Sequence, residues 1–346
     1  MDNPAASRPL AAVALFLHER AAATRAVFAA IRAAQPSCLF LIADGPTGRP
    51  GSEERAAAAR AEVAIVDWPC RVERLYAETN LGCRMRQFTG IEAVFSAVDA
   101  AIFLEDDCLP QPGAIRWMSR MLVRWRDEAR IMMVTAANPL EEWRADDRTW
   151  HLARYGTAWG WGTWRRDWAG FTAVAPDPAD AAMRTQLAAI LPEPSQRTRH
   201  LAGLAAVADG SWDALDVLWE HRRLLRDGLA IVPARNMIDN LGLGAGATHT
   251  GRATPIERLR RAWPASDIDR DPADLAPDDA FDRLVWELRS GRHSAGSLAM
   301  WAGRMIARGR AVQAMALLHG GRRQFPDDPA LTDLAGRAVA ALGRRS

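Results

Sequence analysis

The most chemically suggestive segment of the chain is a run of three carboxylates, Glu105, Asp106 and Asp107, which directly follows the apolar stretch Ala100–Leu104. A short apolar run that ends in charge is typical of a buried strand. Three carboxylates held together beside a low-dielectric sheet repel one another, so their site calls for a cation. Oxygen-only donors favour a hard divalent ion such as Mn²⁺ or Mg²⁺, with phosphate oxygens completing its shell. The competing interpretation is a solvated acidic turn that caps the next helix.

Two further polar positions follow apolar runs in the same way. Arg20 comes shortly after Ala11–Leu17, and Asp44 directly follows Leu39–Ala43. In open α/β sheets, ligands bind beyond the carboxyl ends of the strands. The three strand ends therefore predict one shared site.

The elements that must position these residues alternate between strand and helix, which predicts an α/β fold with a doubly wound sheet. Further strands are predicted at Val63–Tyr76, Met132–Ala136 and Gly228–Pro233. Helices are predicted at Thr24–Ala34, Glu53–Ala61, Arg86–Val98 and Trp212–Arg226, with Asp177–Asp209 mostly helical. The segment Trp143–Phe171, rich in Trp and Gly, is expected to be loop-heavy.

The chain of 346 residues is long enough for one large domain and a smaller appendage. We expect the main domain at residues 1–263 and a linker at 264–280, which is dense in Pro and Asp. Residues 281–346 read as a small all-α C-terminal region whose spacing is close to that of a tetratricopeptide-type helix pair. Such a unit either packs on the main domain or recruits a protein partner.

Composition excludes several classes of protein. A hydrophobic content of 49% and a charged content of 25% are ordinary for a globular enzyme. The net charge of +2 provides no field that would recruit a polyanion, which argues against nucleic-acid binding. The four cysteines form no CxxC pair, so neither a structural zinc site nor a disulfide framework is expected. Because Ala11–Leu17 is too short to span a bilayer, we expect a cytoplasmic protein. A position at the inner face of the cell membrane stays open.

Four ordered blocks resemble a known family. They are VALFLHERAAATR at 13–25, ETNLGCRMR with AIFLEDDCLPQPG at 78–113, AWGWGTWRRDW at 158–168, and SWDALDVLW at 211–219 continuing to VPARNMIDNLGLGAGATHT at 232–250. Together they resemble bacterial family 2-like glycosyltransferases of GT-A fold, the hemolytic protein-like group, and are similar to N-acetylglucosaminyltransferases that use an EDD motif. The resemblance implies a GT-A-type mixed sheet, with a nucleotide-binding half at about 10–137 and an acceptor half at about 138–263.

The resemblance also implies roles for individual residues. The donor nucleotide would be bound by Arg20, Asp44, Arg84, Arg86, Glu105 and Asp106. Asp107 and His249 would ligate the metal, Mn²⁺ or Mg²⁺. For Arg84 and Arg86 the alternative is a solvated position at the start of a helix. For His249 the alternative is a purely structural role.

The Trp-Gly block and the fourth block are expected to face the acceptor. Sugars stack their C–H faces on indoles, and Gly allows a ligand close to the backbone. Sugar or acceptor contacts are therefore expected at Trp159, Gly160, Trp161 and Trp212, although burial of some of these Trp side chains in the core is the alternative.

Asp213 is the candidate general base, since an inverting transferase needs a carboxylate to take the proton of the acceptor hydroxyl. The alternative for Asp213 is a helix-N-terminal Asp that stabilises the helix dipole. Asp216 is the reserve candidate.

The function implied is transfer of a sugar from a nucleotide sugar, a UDP-sugar foremost, to a hydroxyl of a bacterial glycan or lipid-linked glycan. Two other hypotheses stay open. One is a catalytically silent, regulatory protein that binds nucleotide sugars. The other is a peripheral membrane or scaffold protein that makes weak membrane contact through Pro255–Trp263, a segment with three Arg residues and a Trp.

Overall fold

Four parallel strands form one half of the central sheet. Strand β1 (Ala12–Leu17) pairs with β2 (Cys38–Ala43) on one side and with β4 (Ala100–Glu105) on the other, and β2 pairs with β3 (Arg71–Tyr76). Burial on both faces of the sheet explains why β1, β2 and β4 are continuous apolar runs. The predicted strands here are confirmed, except that β3 begins only at Arg71, after Pro69.

The structure is a computed structural model that describes residues 10–191, 193–242 and 260–343. The described residues fall into two units, the first made of 10–242 and 261–278 and the second of 260 and 279–343. Each unit is described by itself below.

The other half of the sheet is mixed. Strand β8 (Trp161–Trp164) lies antiparallel between β4 and β6 (Ile131–Thr135). Strand β9 (Leu229–Pro233) runs parallel to β6, and β7 (Trp150–Ala153) pairs antiparallel with β9 at the edge. The order of this eight-stranded sheet is β3-β2-β1-β4-β8-β6-β9-β7, which confirms the α/β class.

The loop-heavy prediction for Trp143–Phe171 missed two strands, because both β7 and β8 lie within that segment. Gly162 explains why β8 was missed. This glycine suggested a flexible loop, but it is there because the neighbouring chain packs close to it. A Cβ atom added there would lie 2.9 Å from the carbonyl oxygen of Ala101 and 3.0 Å from Leu122. A glycine inside a strand often marks such a close approach.

Eight helices of the first unit are described. They are α1 (Ala21–Ala34), α2 (Ser52–Ala61), α3 (Cys83–Ala97), α4 (Ala114–Arg124), α5 (Arg165–Trp168), α6 (Ala181–Ile190), α7 (Pro194–Ala208) and α8 (Asp216–Leu225). A short two-stranded ribbon joins β5 (Cys108–Pro110) to β10 (Ile238–Asn240).

Two helices begin elsewhere than predicted. Helix α3 starts at Cys83, a turn before the predicted Arg86, because Gly82 (φ 81°) takes the N-cap position. Helix α8 starts at Asp216, so the prediction that Asp213 begins a long helix is wrong. The backbone before α8 is instead tied to α7, since Trp212 N–H donates to the Ala206 carbonyl oxygen at 2.9 Å.

Residues 264–278, expected as a linker, form a strap that groups with the first unit. Arg120 of α4 donates from Nε to Asp269 at 3.1 Å. Leu152 of β7 bridges to Pro277 in parallel orientation. The strap therefore lies along α4 and along the outer edge of β7.

The second unit is helical, as predicted. Its helices are α9 (Asp279–Ser290), α10 (Ala295–Ala307), α11 (Ala311–Gln324) and α12 (Pro329–Gly343). Buried side chains from successive helices form its core, among them Leu298, Trp301, Leu318 and Leu331. Its tetratricopeptide-like character and a role in recruiting a partner stay predictions.

Replacing the buried Asp167 by Asn is expected to stabilise the protein at neutral pH. Burial raises the pKa of Asp167 to about 6, and the charge of Arg166 opposes that rise only in part. The folded state therefore binds a proton between about pH 4 and pH 6 that the unfolded state releases, and stability falls as the pH rises through that window. Asp167→Asn removes this loss, which amounts to about 3 kcal/mol at pH 7 and nearly nothing at pH 4.

Chemical denaturation of wild type and Asp167→Asn at pH 4 and pH 7 measures the difference. Asp127→Asn is the control, because that side chain is 88% exposed and its replacement should change little at either pH. An equal effect of Asp167→Asn at the two pH values would contradict the expectation.

Candidate functional site

The three carboxylates lie at the carboxyl end of β4, where the sheet places them beside the ends of β1 and β2. Glu105 is the last residue of β4, and Asp106 and Asp107 form the turn into β5. This turn is fixed from the other side, because Leu241 N–H donates to the Asp107 carbonyl oxygen at 2.8 Å. Asp106 and Asp107 are both buried. A freely solvated acidic turn, the competing interpretation, does not match this burial.

Arg20 links the end of β1 to the carboxylates. Its Nε atom lies 3.2 Å from Asp106 Oδ1, and its Nη1 atom contacts Asp107 Oδ2 closely. The His18 backbone N–H also donates to Asp106 Oδ2 at 3.2 Å. Arg20, predicted to meet the nucleotide, is thus paired here with the carboxylates.

The single guanidinium of Arg20 does not neutralise the negative charge of the three carboxyl groups. Burial raises the pKa of the Glu105 carboxyl, and the charges of Asp107 and Asp106 raise it further. Burial also raises the pKa of Asp106 to about 6, despite the opposing charge of Arg20. Carboxyl groups that ionise with this difficulty would be stabilised by additional positive charge.

A hard cation fits the donor chemistry of these residues. Carboxylate oxygens are the ligands that Mg²⁺ and Mn²⁺ prefer. Gly242 leaves room beside Asp107, because a Cβ atom at Gly242 would collide with Asp107 Oδ2 and lie 3.1 Å from Arg20. Within the described ranges, no group of three or more His, Cys, Asp and Glu side chains is arranged to hold a metal.

The second predicted metal ligand, His249, lies outside the described residues, as does most of Pro255–Trp263, the segment considered for membrane contact. Their roles stay predictions.

Asp44 organises the neighbouring loop. Its carboxylate accepts hydrogen bonds from the Leu81 N–H at 2.9 Å, the Gly82 N–H at 3.1 Å and Asn80 Nδ2 at 3.1 Å. These bonds hold the chain just before α3 at the carboxyl end of β2. Asp44 thus shapes the site whether or not it also contacts a base.

The two arginines of α3 differ in their contacts. Arg86 donates to the carbonyl oxygen of Leu75 in β3, and burial lowers its pKa. Arg84 donates from Nη1 to the Ala173 carbonyl oxygen at 2.6 Å, and its Nε lies 3.5 Å from Asp213 Oδ1. Both contacts are with the protein, and contact with a diphosphate stays a prediction for each arginine.

Asp213, the candidate base, comes from a distant segment to meet α3. A Cβ atom at Gly82 would lie 2.7 Å from Asp213 Oδ2, so only glycine at this N-cap leaves room for the carboxylate. Burial raises the pKa of the nearby Cys83 thiol, with Glu105, Asp213 and Asp216 adding to the rise. Carboxylates from both halves of the first unit thus lie close enough to one thiol to add to the rise in its pKa that burial causes.

The predicted aromatic contacts divide into buried and exposed side chains. Trp161 is 7% exposed and packs on Phe103 and Trp219, with ring centroids 5.1 Å and 5.6 Å apart. Its indole serves the core here, which was the alternative for this block. Trp159 is half-buried against a different hydrophobic cluster, one that includes Leu104 and Ile238, whereas Trp212 is 41% exposed.

Gly160 has φ 62°, and a Cβ atom there would lie 2.6 Å from Ile238. It therefore brings the chain close to β10. Contact with a sugar stays a prediction for all four residues of this group.

Two charged residues of the site were missed from the sequence. Arg60 of α2 donates to the carbonyl oxygens of Asp44 at 2.9 Å and Ala77 at 3.0 Å, which ties the ends of β2 and β3 together. Glu19 accepts from Arg55 Nε at 2.7 Å and so joins the end of β1 to α2. Arg60 carries no sequence signal, because a long side chain on a helix has the same pattern when it is solvated. Glu19 follows β1 closely, so its position at a strand end is the one signal that could have found it.

Comparisons with known proteins give no family for the chain. No protein-family model matches it, and no curated protein matches it. None of the helices in the described ranges is long and apolar enough to cross a membrane.

Proposed function

We propose that the protein is a metal-dependent glycosyltransferase of GT-A type that moves a sugar from a nucleotide sugar to an acceptor hydroxyl. The observation that carries the proposal is the convergence of two sets of carboxylates. Glu105, Asp106 and Asp107 lie at the end of β4, and Asp213 reaches the start of α3 beside them. The mixed sheet, with its antiparallel strand β8 next to β4, is compatible with the GT-A type.

The donor would lie across the carboxyl ends of β1, β2 and β4. Asp106, which contacts Arg20, would meet the ribose, and Asp44, which holds the Leu81 loop, would meet the base. Asp107 would hold the divalent cation, which would neutralise the charge on the leaving diphosphate. Within this arrangement, Arg20 contacts both Asp106 and Asp107 and would hold their carboxylates in place when no cation is bound.

Asp213 would act as the general base. The acceptor oxygen attacks the anomeric carbon, the bond from that carbon to the diphosphate breaks, and the hydroxyl proton passes to the Asp213 carboxylate. The products are a glycoside and a nucleoside diphosphate. A base on the side opposite the leaving group accounts for inversion, which we propose for this enzyme.

Nucleotide binding tests the donor site. By calorimetry, we expect one of UDP, GDP and CDP, with UDP foremost, to bind wild type only in the presence of Mn²⁺. Asp107→Ala should weaken that binding at least about 100-fold, because loss of a charged metal ligand costs several kcal/mol. Asp127→Ala, at an exposed position, is the matched control and should bind as wild type does.

Absence of binding by all three nucleotides would overturn the proposal. Metal-dependent binding without transfer to any acceptor would favour the silent, regulatory alternative.

A further inference from the structure

Four exposed apolar side chains border the contact between Asp213 and α3. They are Leu81, Met85, Val174 and Trp212, with exposures of 41%, 38%, 74% and 41%. Large apolar side chains seldom gather at a surface without a ligand or partner, whereas single ones are ordinary.

Their grouping follows from the contacts that their sequence neighbours make. Gly82 approaches Asp213, Arg84 approaches Asp213, and Arg84 donates to the Ala173 carbonyl oxygen. The contacting residues are thus Gly82, Arg84, Ala173 and Asp213. Each exposed side chain belongs to the residue directly before or after one of them. Consecutive Cα atoms lie about 3.8 Å apart, so all four side chains are rooted around the Arg84–Asp213 pair. We call Leu81, Met85, Val174 and Trp212 the apolar rim.

The rim stands out from the rest of the first unit. Eight large apolar side chains are exposed among the described residues of this unit, and half of them belong to the rim. Trp212 is held in place, since a Cβ atom at Gly203 of α7 would lie 3.8 Å from the edge of its ring. Trp212 nevertheless keeps 41% of its surface exposed.

We propose that the apolar rim binds an apolar group that the acceptor carries next to its reacting hydroxyl. This inference rests on the proposed function, because it takes Asp213 as the base that receives the hydroxyl proton. The acceptor is then amphipathic, with a hydroxyl at Asp213 and a hydrocarbon or aromatic group against Leu81, Met85, Val174 and Trp212.

The charged pair at the centre of the rim favours a small acceptor over a protein partner. A protein surface closing over the rim would desolvate Arg84 and Asp213 together, at a cost that their 3.5 Å contact does not fully offset. An acceptor with a hydroxyl at that point supplies a hydrogen-bond donor to the Asp213 carboxylate and leaves the pair satisfied.

Binding of simple glycosides tests the rim without a nucleotide. The probes are methyl, octyl and 2-naphthyl β-D-glucopyranosides, titrated into the full chain by ligand-observed NMR. We expect the octyl or the naphthyl glycoside to bind wild type at least about tenfold more tightly than the methyl glycoside, because each adds apolar surface that the rim can cover. Preference between the two distinguishes a hydrocarbon chain from an aromatic group.

Trp212→Ala should remove most of that tenfold preference, and Leu81→Ser provides a second variant should the first not fold. Ile65→Ala is the matched control, because Ile65 is 78% exposed and lies before the amino end of β3, whereas Leu81 and Gly82 follow the carboxyl end of that strand. Equal binding of the three glycosides to wild type, or a preference that survives both rim variants, would overturn the inference. If the proposed function were wrong, the calorimetry would show no nucleotide binding. The glycoside titration contains no nucleotide, so the two failures can be told apart.

Discussion

Replacing Asp213 by Asn is expected to lower kcat for sugar transfer by about 10²–10⁴-fold, the usual contribution of a general base. Asn keeps the size and shape of the side chain beside Gly82, so the effect isolates the loss of the proton acceptor. Metal-dependent binding of the nucleotide should stay within about twofold of wild type, because Asp213 lies on the acceptor side and the metal ligand is Asp107. Initial rates and calorimetry on the same preparation measure both quantities.

Asp216→Asn is the matched control for this experiment. Asp216 is exposed in the first turn of α8, where a carboxylate stabilises the helix dipole, and like Asp213 it adds to the rise in the pKa of Cys83. We expect Asp216→Asn to lower kcat less than about tenfold. The reverse ranking of the two variants would move the role of base to Asp216, and full activity of both would remove it from this loop.

Replacing Arg20 by Met is expected to lower the free energy of unfolding by about 3–5 kcal/mol at pH 8, since it strips two buried carboxylates of their partner. Asp106 and Asp107 would then face each other and Glu105 with no guanidinium between them. Arg20 holds the pKa of Asp106 below the value that burial alone would impose, so its loss raises that pKa beyond about 6. Protonation relieves the repulsion, and the loss of stability should therefore be smaller at pH 5 than at pH 8.

Chemical denaturation at the two pH values, with and without Mn²⁺, measures these effects. Mn²⁺ should restore part of the stability of Arg20→Met, because it supplies positive charge at the same carboxylates. Arg25→Met is the control, since Arg25 and its partner Glu62 form an exposed ion pair whose loss should change the free energy of unfolding little. An Arg20→Met protein as stable as Arg25→Met at pH 8 would show that the carboxylates do not depend on Arg20.

The part of the fold that the sequence predicts well is the parallel half of the sheet. Buried strands such as β1 and β4 are apolar without interruption, and each ends in the charge that marks its carboxyl end. The position of Arg20 and Asp44 beside the carboxylates follows from that topology alone. Strand β8 was missed because its Trp and Gly residues have the composition of a binding loop, although Gly162 is required by packing.

At the candidate site, the features that the sequence could not predict are the ones set by tertiary contacts. Asp213 has the local pattern of a helix start, yet it lies outside α8 and meets Gly82 and Arg84, about 130 residues earlier in the chain. Similarly, nothing local tells whether Arg84 extends to solvent or to Ala173. Long-range contacts of this kind carry no periodic signal.

The strap at 264–278 has a consequence for how the protein behaves at high concentration. A sheet edge with open backbone groups invites strands of other molecules to pair with it and is a starting point for aggregation. One outer strand, β7, has the strap along its edge through the Leu152–Pro277 bridge. The other, β3, carries the charged side chains of Arg71, Glu73 and Arg74, which oppose the approach of a second strand. Both ends of the eight-stranded sheet are thereby guarded against polymerisation, one by covering chain and the other by charge.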